Sequence, residues 1–212
     1  MMKPATTVRI KICGLTREDD VDAAVAAGAD AVGFVFYPPS QRFVTPERAA
    51  RLARRLPPFV AAVGLFVNAD PAAIEATLAA VPLHILQFHG DEAESDCRRY
   101  GRPYLKAARV TPEMDLVQYA ARYPSAQAIL LDACVEGYGG GGQTFDWSLI
   151  PPALGRRSVL SGGLDAGNVG EAIRRVRPAA VDVSSGVEVA KGIKDAARIA
   201  AFVAAVRAAE TT

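Results

Sequence analysis

An eightfold alternation runs almost from end to end of this chain and constrains its fold more than any other feature. Short runs rich in Val, Ile, Leu or Phe are separated by longer segments of Ala, Glu and Arg. The runs are Val8–Ile12, Ala31–Phe36, Phe59–Val67, Leu83–Phe88, Tyr104–Val110, Ala128–Leu131, Ser158–Leu160 and Ala180–Val183. Most are nearly continuous rather than alternating, as expected for parallel strands covered on both faces. Thr16, Thr45-Pro46, Asp70-Pro71, Asp91, Thr111-Pro112 and Asp165 open segments of helical character, and a last one runs from about Lys194 to Ala209. A Ser, Thr or Asp before the first turn, often followed by Pro, is a helix-start signal because its oxygen takes up an orphan N–H. Eight strands alternating with eight helices imply right-handed crossovers and a parallel sheet. Eight units close into a (β/α)8 TIM barrel, whereas an open doubly wound sheet usually has five or six strands. The 212 residues leave about 26 per unit, close to the minimum for a strand, a helix and two tight loops. No linker or low-complexity tract interrupts the pattern, so residues 1–212 read as one α/β barrel domain of near-minimal length.

Composition narrows the function. Half of the residues are hydrophobic and 22% are charged, which excludes a disordered chain. Lys plus Arg number 24 against 23 Asp plus Glu, without the basic excess that phosphate-contacting nucleic-acid binders carry. The longest charge-free apolar stretch, Phe59–Val67, has nine residues, too few to span a bilayer. The N-terminus lacks a signal-peptide pattern. Cys13, Cys97 and Cys134 lie far apart and form no CxxC pair, which argues against a disulfide framework or a zinc site and suits a reducing compartment. The expectation is a cytoplasmic protein acting on a small molecule without nucleic acid, membrane, metal or cofactor, as a monomer or a homodimer.

In such a barrel the active site is built from loops at the C-terminal ends of the strands, and polar and glycine residues collect there. Cys13-Gly14 follows the first run, Ser40-Gln41-Arg42 the second, Gln87 and His89-Gly90 close the fourth, and Asp132 ends the sixth. Ser161-Gly162-Gly163 ends the seventh run and Ser184-Ser185-Gly186 the eighth. Small residues after strands seven and eight let backbone N–H groups approach an anion, and barrels often bind phosphate there. Gly139–Gly142, after the sixth run, suits a flap or a third backbone contact, or else a disordered surface loop.

Cys13 can carry a proton once its thiol ionises; otherwise it is a small buried hydrophobe. Asp132 closes an apolar run and would be poorly solvated without a task, although loop bracing remains an alternative. Arg42 can clamp a carboxylate in bidentate fashion or stand as a surface charge. Asp182 falls inside the eighth strand, where it can face the barrel and pair with a cation. His84 reads as structural, His89 and Gln87 as site-lining, and Lys106 as a strand residue whose head reaches solvent or the barrel mouth. An acid, a base, a carboxylate clamp and a phosphate site suit proton transfer on a phosphorylated small molecule that bears a carboxylate.

At these residues the chain resembles the phosphoribosylanthranilate isomerases of tryptophan biosynthesis. The matching stretches are KICGLT at Lys11–Thr16, SQRFV at Ser40–Val44, QFHG at Gln87–Gly90, LLDA at Leu130–Ala133, GGGGQTFDW at Gly139–Trp147, SGGL at Ser161–Leu164, DVSSGVE at Asp182–Glu188 and GIKD at Gly192–Asp195. They occur in order over nearly the whole chain. Family members often carry Pro where Gln41 stands, Leu at Phe88 and Thr at Gly141; none of these departures removes a proposed catalytic group. The resemblance implies an Amadori rearrangement of N-(5-phosphoribosyl)anthranilate. In it Asp132 would be the general acid and Cys13 the general base. Arg42 would hold the anthranilate carboxylate, while Gly162, Gly163, Ser185, Gly186 and Gly142 would hold the phosphate. Two alternatives remain. The related histidine-pathway isomerases carry Asp where Cys13 stands, and a phosphate-barrel protein could bind FMN or a sugar phosphate without isomerising it.

Overall fold

Eight parallel strands close on themselves in chain order, with β1 pairing both β2 and β8 in the computed structural model. The structure describes residues 7–133 and 144–210. The strands are β1 (Arg9–Cys13), β2 (Ala31–Val35), β3 (Ala61–Phe66), β4 (Ile85–Phe88), β5 (Tyr104–Val110), β6 (Ala128–Ala133), β7 (Ser158–Leu160) and β8 (Ala180–Val183). Each of the eight apolar runs becomes one strand. Seven α-helices lie among the described residues: α1 (Glu18–Ala27), α2 (Pro46–Ala53), α3 (Pro71–Ala80), α4 (Glu94–Arg98), α5 (Leu116–Ala121), α6 (Val169–Val176) and α7 (Ala196–Glu210).

Side chains alternate between the two faces of each barrel strand. Leu105, Ala107, Leu130 and Val159 form an apolar cluster separate from the main core. The main core holds Phe34, Phe66, Phe88 and Leu131 on the opposite strand faces, packed with Val21, Leu52 and Phe202 of the helices. The barrel is therefore a filled core with chemistry confined to its rim.

Helix starts follow the capping chemistry where a side chain reaches the backbone. Thr45 accepts from the Arg48 N–H at 3.2 Å and Asp70 from that of Ala72 at 2.8 Å. In both helices a proline takes the next position, where its missing N–H costs nothing. Elsewhere expectations fail. α1, α4 and α6 begin at Glu18, Glu94 and Val169, two to four residues after Thr16, Asp91 and Asp165, and none has a side-chain cap bond. The helix predicted from Thr111-Pro112 starts only at Leu116, because Asp115 accepts from the N–H groups of both Val117 and Gln118 and so provides the stronger cap. Between β6 and β7 the described residues hold two 3-10 segments, Trp147–Leu149 and Pro152–Arg157, in place of an α-helix. The Pro151-Pro152 pair and Gly155 make a longer helix unfavourable there. Lys106 reaches neither solvent nor mouth. It is fully buried on the outer strand face, donating to the Gly90 carbonyl at 2.5 Å and to Glu92 at 2.9 Å, with its ammonium 5.5 Å from the centre of the Tyr123 ring.

After β8 a 3-10 turn (Ser185–Val187) leads into a small antiparallel hairpin, β9 (Glu188–Ala190) and β10 (Ile193–Lys194). Gly192 turns it with φ +80°, a conformation costly for any residue with a Cβ. The hairpin places Glu188 and Lys194 beside the end of β1. No helix among the described residues is long and apolar enough to cross a membrane.

Candidate active site

The C-terminal rim carries two walls of different chemistry. The first is formed by β1, β8 and the hairpin. Cys13, the last residue of β1, is buried, and Lys11 lies one inward step below it on the same strand. The Lys11 ammonium donates to Asp182 Oδ1 at 2.9 Å, so Asp182 faces the barrel and is paired with a cation as expected. Ser161 donates to the other oxygen of Asp182 at 3.3 Å. Gly33 explains how Lys11 and Cys13 can share this space. A Cβ at position 33 would lie 2.7 Å from Cys13 Sγ and 3.1 Å from Lys11 Nζ.

Burial pushes the Cys13 thiol up, and the Lys11 ammonium beside it works against that rise. The substrate-free site therefore does not lower the thiol toward neutrality. Burial would push Lys11 down, but Asp182 and the neighbouring Cys13 outweigh it and hold the ammonium above the ordinary lysine range.

Arg42 reaches this wall from the β2–α2 loop and is 8% exposed. Its Nε donates to Glu188 Oε1 at 2.9 Å and its Nη2 to Glu188 Oε2 at 2.7 Å, a bidentate pair. Nη1 makes no hydrogen bond among the described residues. Lys194 Nζ donates to Glu188 Oε1 at 2.8 Å and to the Ser184 carbonyl at 3.0 Å. Ser184 Oγ in turn donates to the Cys13 carbonyl at 3.0 Å. Burial would raise the Glu188 carboxyl, but the Arg42 and Lys194 bonds win and hold it below the usual glutamate range. Gly14, at φ +78°, is required here because a Cβ would meet Arg42 Cδ at 2.6 Å.

The second wall is formed by β4 and β6. Asp132 is 6% exposed; its Oδ1 accepts from the Ala133 N–H at 2.9 Å, and its Oδ2 lies 3.1 Å from His89 Nε2. His89 Nδ1 lies 3.2 Å from Gln87 Nε2. Gln87 and His89, expected to line the site, thus form a chain behind Asp132. His84 stands apart from the site, accepting the Ala62 N–H at Nδ1 at 2.9 Å.

Between the walls lie the loops after β7 and β8. The N–H groups of Gly162, Gly163, Ser185 and Gly186 make no hydrogen bond among the described residues and can receive an anion. Gly162 and Gly163 have φ +82° and +62°. A Cβ at 162 would sit 2.5 Å from the Ala133 nitrogen and 3.0 Å from Asp132 Oδ1, and one at 186 would sit 2.0 Å from the Leu164 carbonyl oxygen. These glycines let the two loops pack on each other and on the end of β6. Gly142 and the rest of the Gly139–Gly142 run lie outside the described residues.

The structure thus brings Cys13, Arg42 and Asp182 together on one wall and Gln87, His89 and Asp132 on the other. Lys11, Glu188 and Lys194 were not singled out from the sequence. All three lie inside the motif stretches, at Lys11–Thr16, Asp182–Glu188 and Gly192–Asp195, which was their only signal.

A family model described as N-(5'phosphoribosyl)anthranilate (PRA) isomerase matches residues 10–205. The N-(5'-phosphoribosyl)anthranilate isomerase of Dechloromonas aromatica (strain RCB) is 66% identical over 202 residues, covering 95% of this chain and 97% of its own length. The crystal structure of phosphoribosyl anthranilate isomerase from Thermotoga maritima matches with a TM-score of 0.88 at 46% identity, covering 95% of this chain and all of that one. A crystal structure of the isomerase in complex with reduced 1-(o-carboxyphenylamino)-1-deoxyribulose 5-phosphate matches with a TM-score of 0.84 at 44% identity, with the same coverage. The match runs from β1 into α7 and so takes in both walls and both glycine loops: the chain belongs to the N-(5'-phosphoribosyl)anthranilate isomerase family.

Proposed function

We propose that Cys13 and Asp132 are the two proton carriers of the family's reaction in this chain. That reaction is the Amadori isomerisation of N-(5-phosphoribosyl)anthranilate to 1-(2-carboxyphenylamino)-1-deoxyribulose 5-phosphate in tryptophan biosynthesis. The observation that supports this reading is the placement of one acid and one thiol at strand ends on opposite walls, with backbone N–H groups beside them that make no hydrogen bond among the described residues. Protonated Asp132 gives its proton to the furanose ring oxygen as the C1–O bond breaks, leaving an iminium. The Cys13 thiolate then takes the proton from C2, and the C–H electron pair flows into the iminium to give an enolamine, which tautomerises to the ketone. Lys11 stabilises the thiolate at the moment it is needed, and the iminium acidifies the proton to be taken.

Arg42 holds the anthranilate carboxylate through its Nη edge while Glu188 fixes the opposite edge of the guanidinium. The N–H groups of Gly162, Gly163, Ser185 and Gly186 receive the phosphate. Residues 1–212 act as one catalytic domain in the cytoplasm, as a monomer or homodimer.

The test is loss of anthranilate fluorescence when purified protein meets freshly formed phosphoribosylanthranilate. Wild type should turn it over, whereas Cys13→Ala and Asp132→Asn should bind it and stall. Binding without turnover by wild type would overturn the isomerase reading, and near-normal turnover by either variant would remove that residue from the mechanism.

A further inference from the structure

The chain behind Asp132 contains an unresolved polar atom. Gln87 is 1% exposed, and its Oε1 is buried with no hydrogen-bond partner among the described residues. Its Nε2 instead faces His89 Nδ1 at 3.2 Å, and His89 Nε2 faces Asp132 Oδ2 at 3.1 Å. An amide nitrogen can only donate, so in this arrangement Nδ1 accepts, the ring hydrogen is on Nε2, and Asp132 Oδ2 accepts it. This is the form of the couple that has no proton to give.

Now add the proton that the acid step requires. If it rests on Asp132, Oδ2–H donates to Nε2 and the ring hydrogen must move to Nδ1. If it rests on the ring, both nitrogens carry hydrogen. In either case Nδ1–H points at Gln87 Nε2, donor against donor. Turning the carboxamide about its last bond brings the unpartnered Oε1 onto Nδ1–H. The oxygen and nitrogen ends of an amide have nearly the same shape, so both orientations fit the same slot.

We propose that Gln87 is a positioning residue for the general acid: its Oε1 accepts from Nδ1–H while the His89–Asp132 couple is loaded. The carboxamide then turns to offer Nε2–H once the proton has gone to the substrate. The amide thereby supports both protonation states of a buried couple. Other charged groups face this couple without touching Nδ1. Arg109 pairs with Asp132 in the β5–β6 register and binds Asp91, and Lys11, Asp182 and Cys13 lie on the opposite wall.

The inference rests on the acid role of Asp132, and the test separates the two. The chain has two histidines, so a protein labelled with 15N-histidine gives two ring systems. His84 is an internal standard, because its Nδ1 accepts from Ala62 N–H. In wild type, His89 should carry hydrogen on Nε2 at high pH and gain Nδ1–H as the pH falls. Gln87→Leu removes the acceptor, and an unsatisfied buried donor should move that transition, and the basic limb of the kcat profile, to lower pH by about one unit. Gln87→Glu offers only acceptors at that end and should move both to higher pH. Gln87→Met provides a straight-chain apolar replacement should Gln87→Leu not fold. Shifts of the same sign in the two variants, or a uniform loss of kcat with an unmoved profile, would overturn the proposal and leave Gln87 a packing residue. Turnover by Asp132→Asn with the wild-type tautomer shift intact in the parent would instead sink the acid assignment.

Discussion

The two walls of the mouth surround Cys13 and Asp132 by opposite means. Behind Cys13 stand full charges: Lys11 on Asp182, and Arg42 with Lys194 on Glu188, all buried. Behind Asp132 stand a histidine ring and an amide joined by hydrogen bonds. The difference follows from the chemistry each side must host. In the proposed roles the base wall would receive a thiolate and a substrate carboxylate, which its three cations against two anions suit. In the same proposal the acid wall would give up and regain a proton, which a chain of tautomers does without creating a strong local field.

The comparison breaks at its most sensitive point if the two carriers are not both essential. Cys13→Ala and Asp132→Asn should each lower kcat by about 10²–10⁴-fold with the fold intact, read by the fluorescence assay and circular dichroism. Next in size, Lys11→Met should cost about 3–5 kcal/mol in urea unfolding, because it strands Asp182 as a buried uncompensated charge. The Lys11→Met, Asp182→Asn pair should recover most of that stability, and recovery of turnover along with it would show that Lys11 serves only the fold. Arg42→Ala should act mainly by raising KM, by about tenfold or more; a pure kcat loss would argue against a carboxylate clamp.

The smallest effect is one of pH. The folded Glu188 carboxyl lies below its ordinary value of 4.5, so its contribution to stability is complete above that pH and fades as the pH falls through the lowered value. Glu188→Gln should therefore flatten the acid side of a melting-temperature profile. An unchanged acid slope would mean that the Arg42–Glu188 pair does not report on this wall.

The barrel could be read from the sequence because each strand is encoded locally. Tyr104–Val110, Ser158–Leu160 and Ala180–Val183 have the same bounds in the runs and in the structure. Helix starts were less legible where two caps competed, as Asp115 did with Thr111-Pro112. The candidate site was half visible. Cys13 and Asp132 stand out as polar residues at the ends of apolar runs, and Arg42 as a cation in the loop after the second. Glu188 and Lys194 do not, because their meaning depends on Arg42, 146 residues before Glu188, and no local periodicity reports such a partner. Lys106 shows the converse. A lysine in an apolar run suggested solvent or the mouth, but alternation along β5 turned it outward to Glu92 and the Tyr123 ring.

The closure of β8 onto β1 also sets an order in time. During synthesis the acid wall becomes available early, since Gln87, His89 and Asp132 have all been made when β6 emerges. The base wall has Cys13 and Arg42 from the outset but must wait for Asp182, Glu188 and Lys194, in the last stretch before α7. Until then Lys11, on the open edge strand β1, and Arg42 lack the counterions they have in the folded chain, and that edge is sealed only by the last strand of the ring. A nascent chain stalled before β8 would thus hold half an active site and no barrel, so catalytic competence would arrive together with the seam that completes the fold.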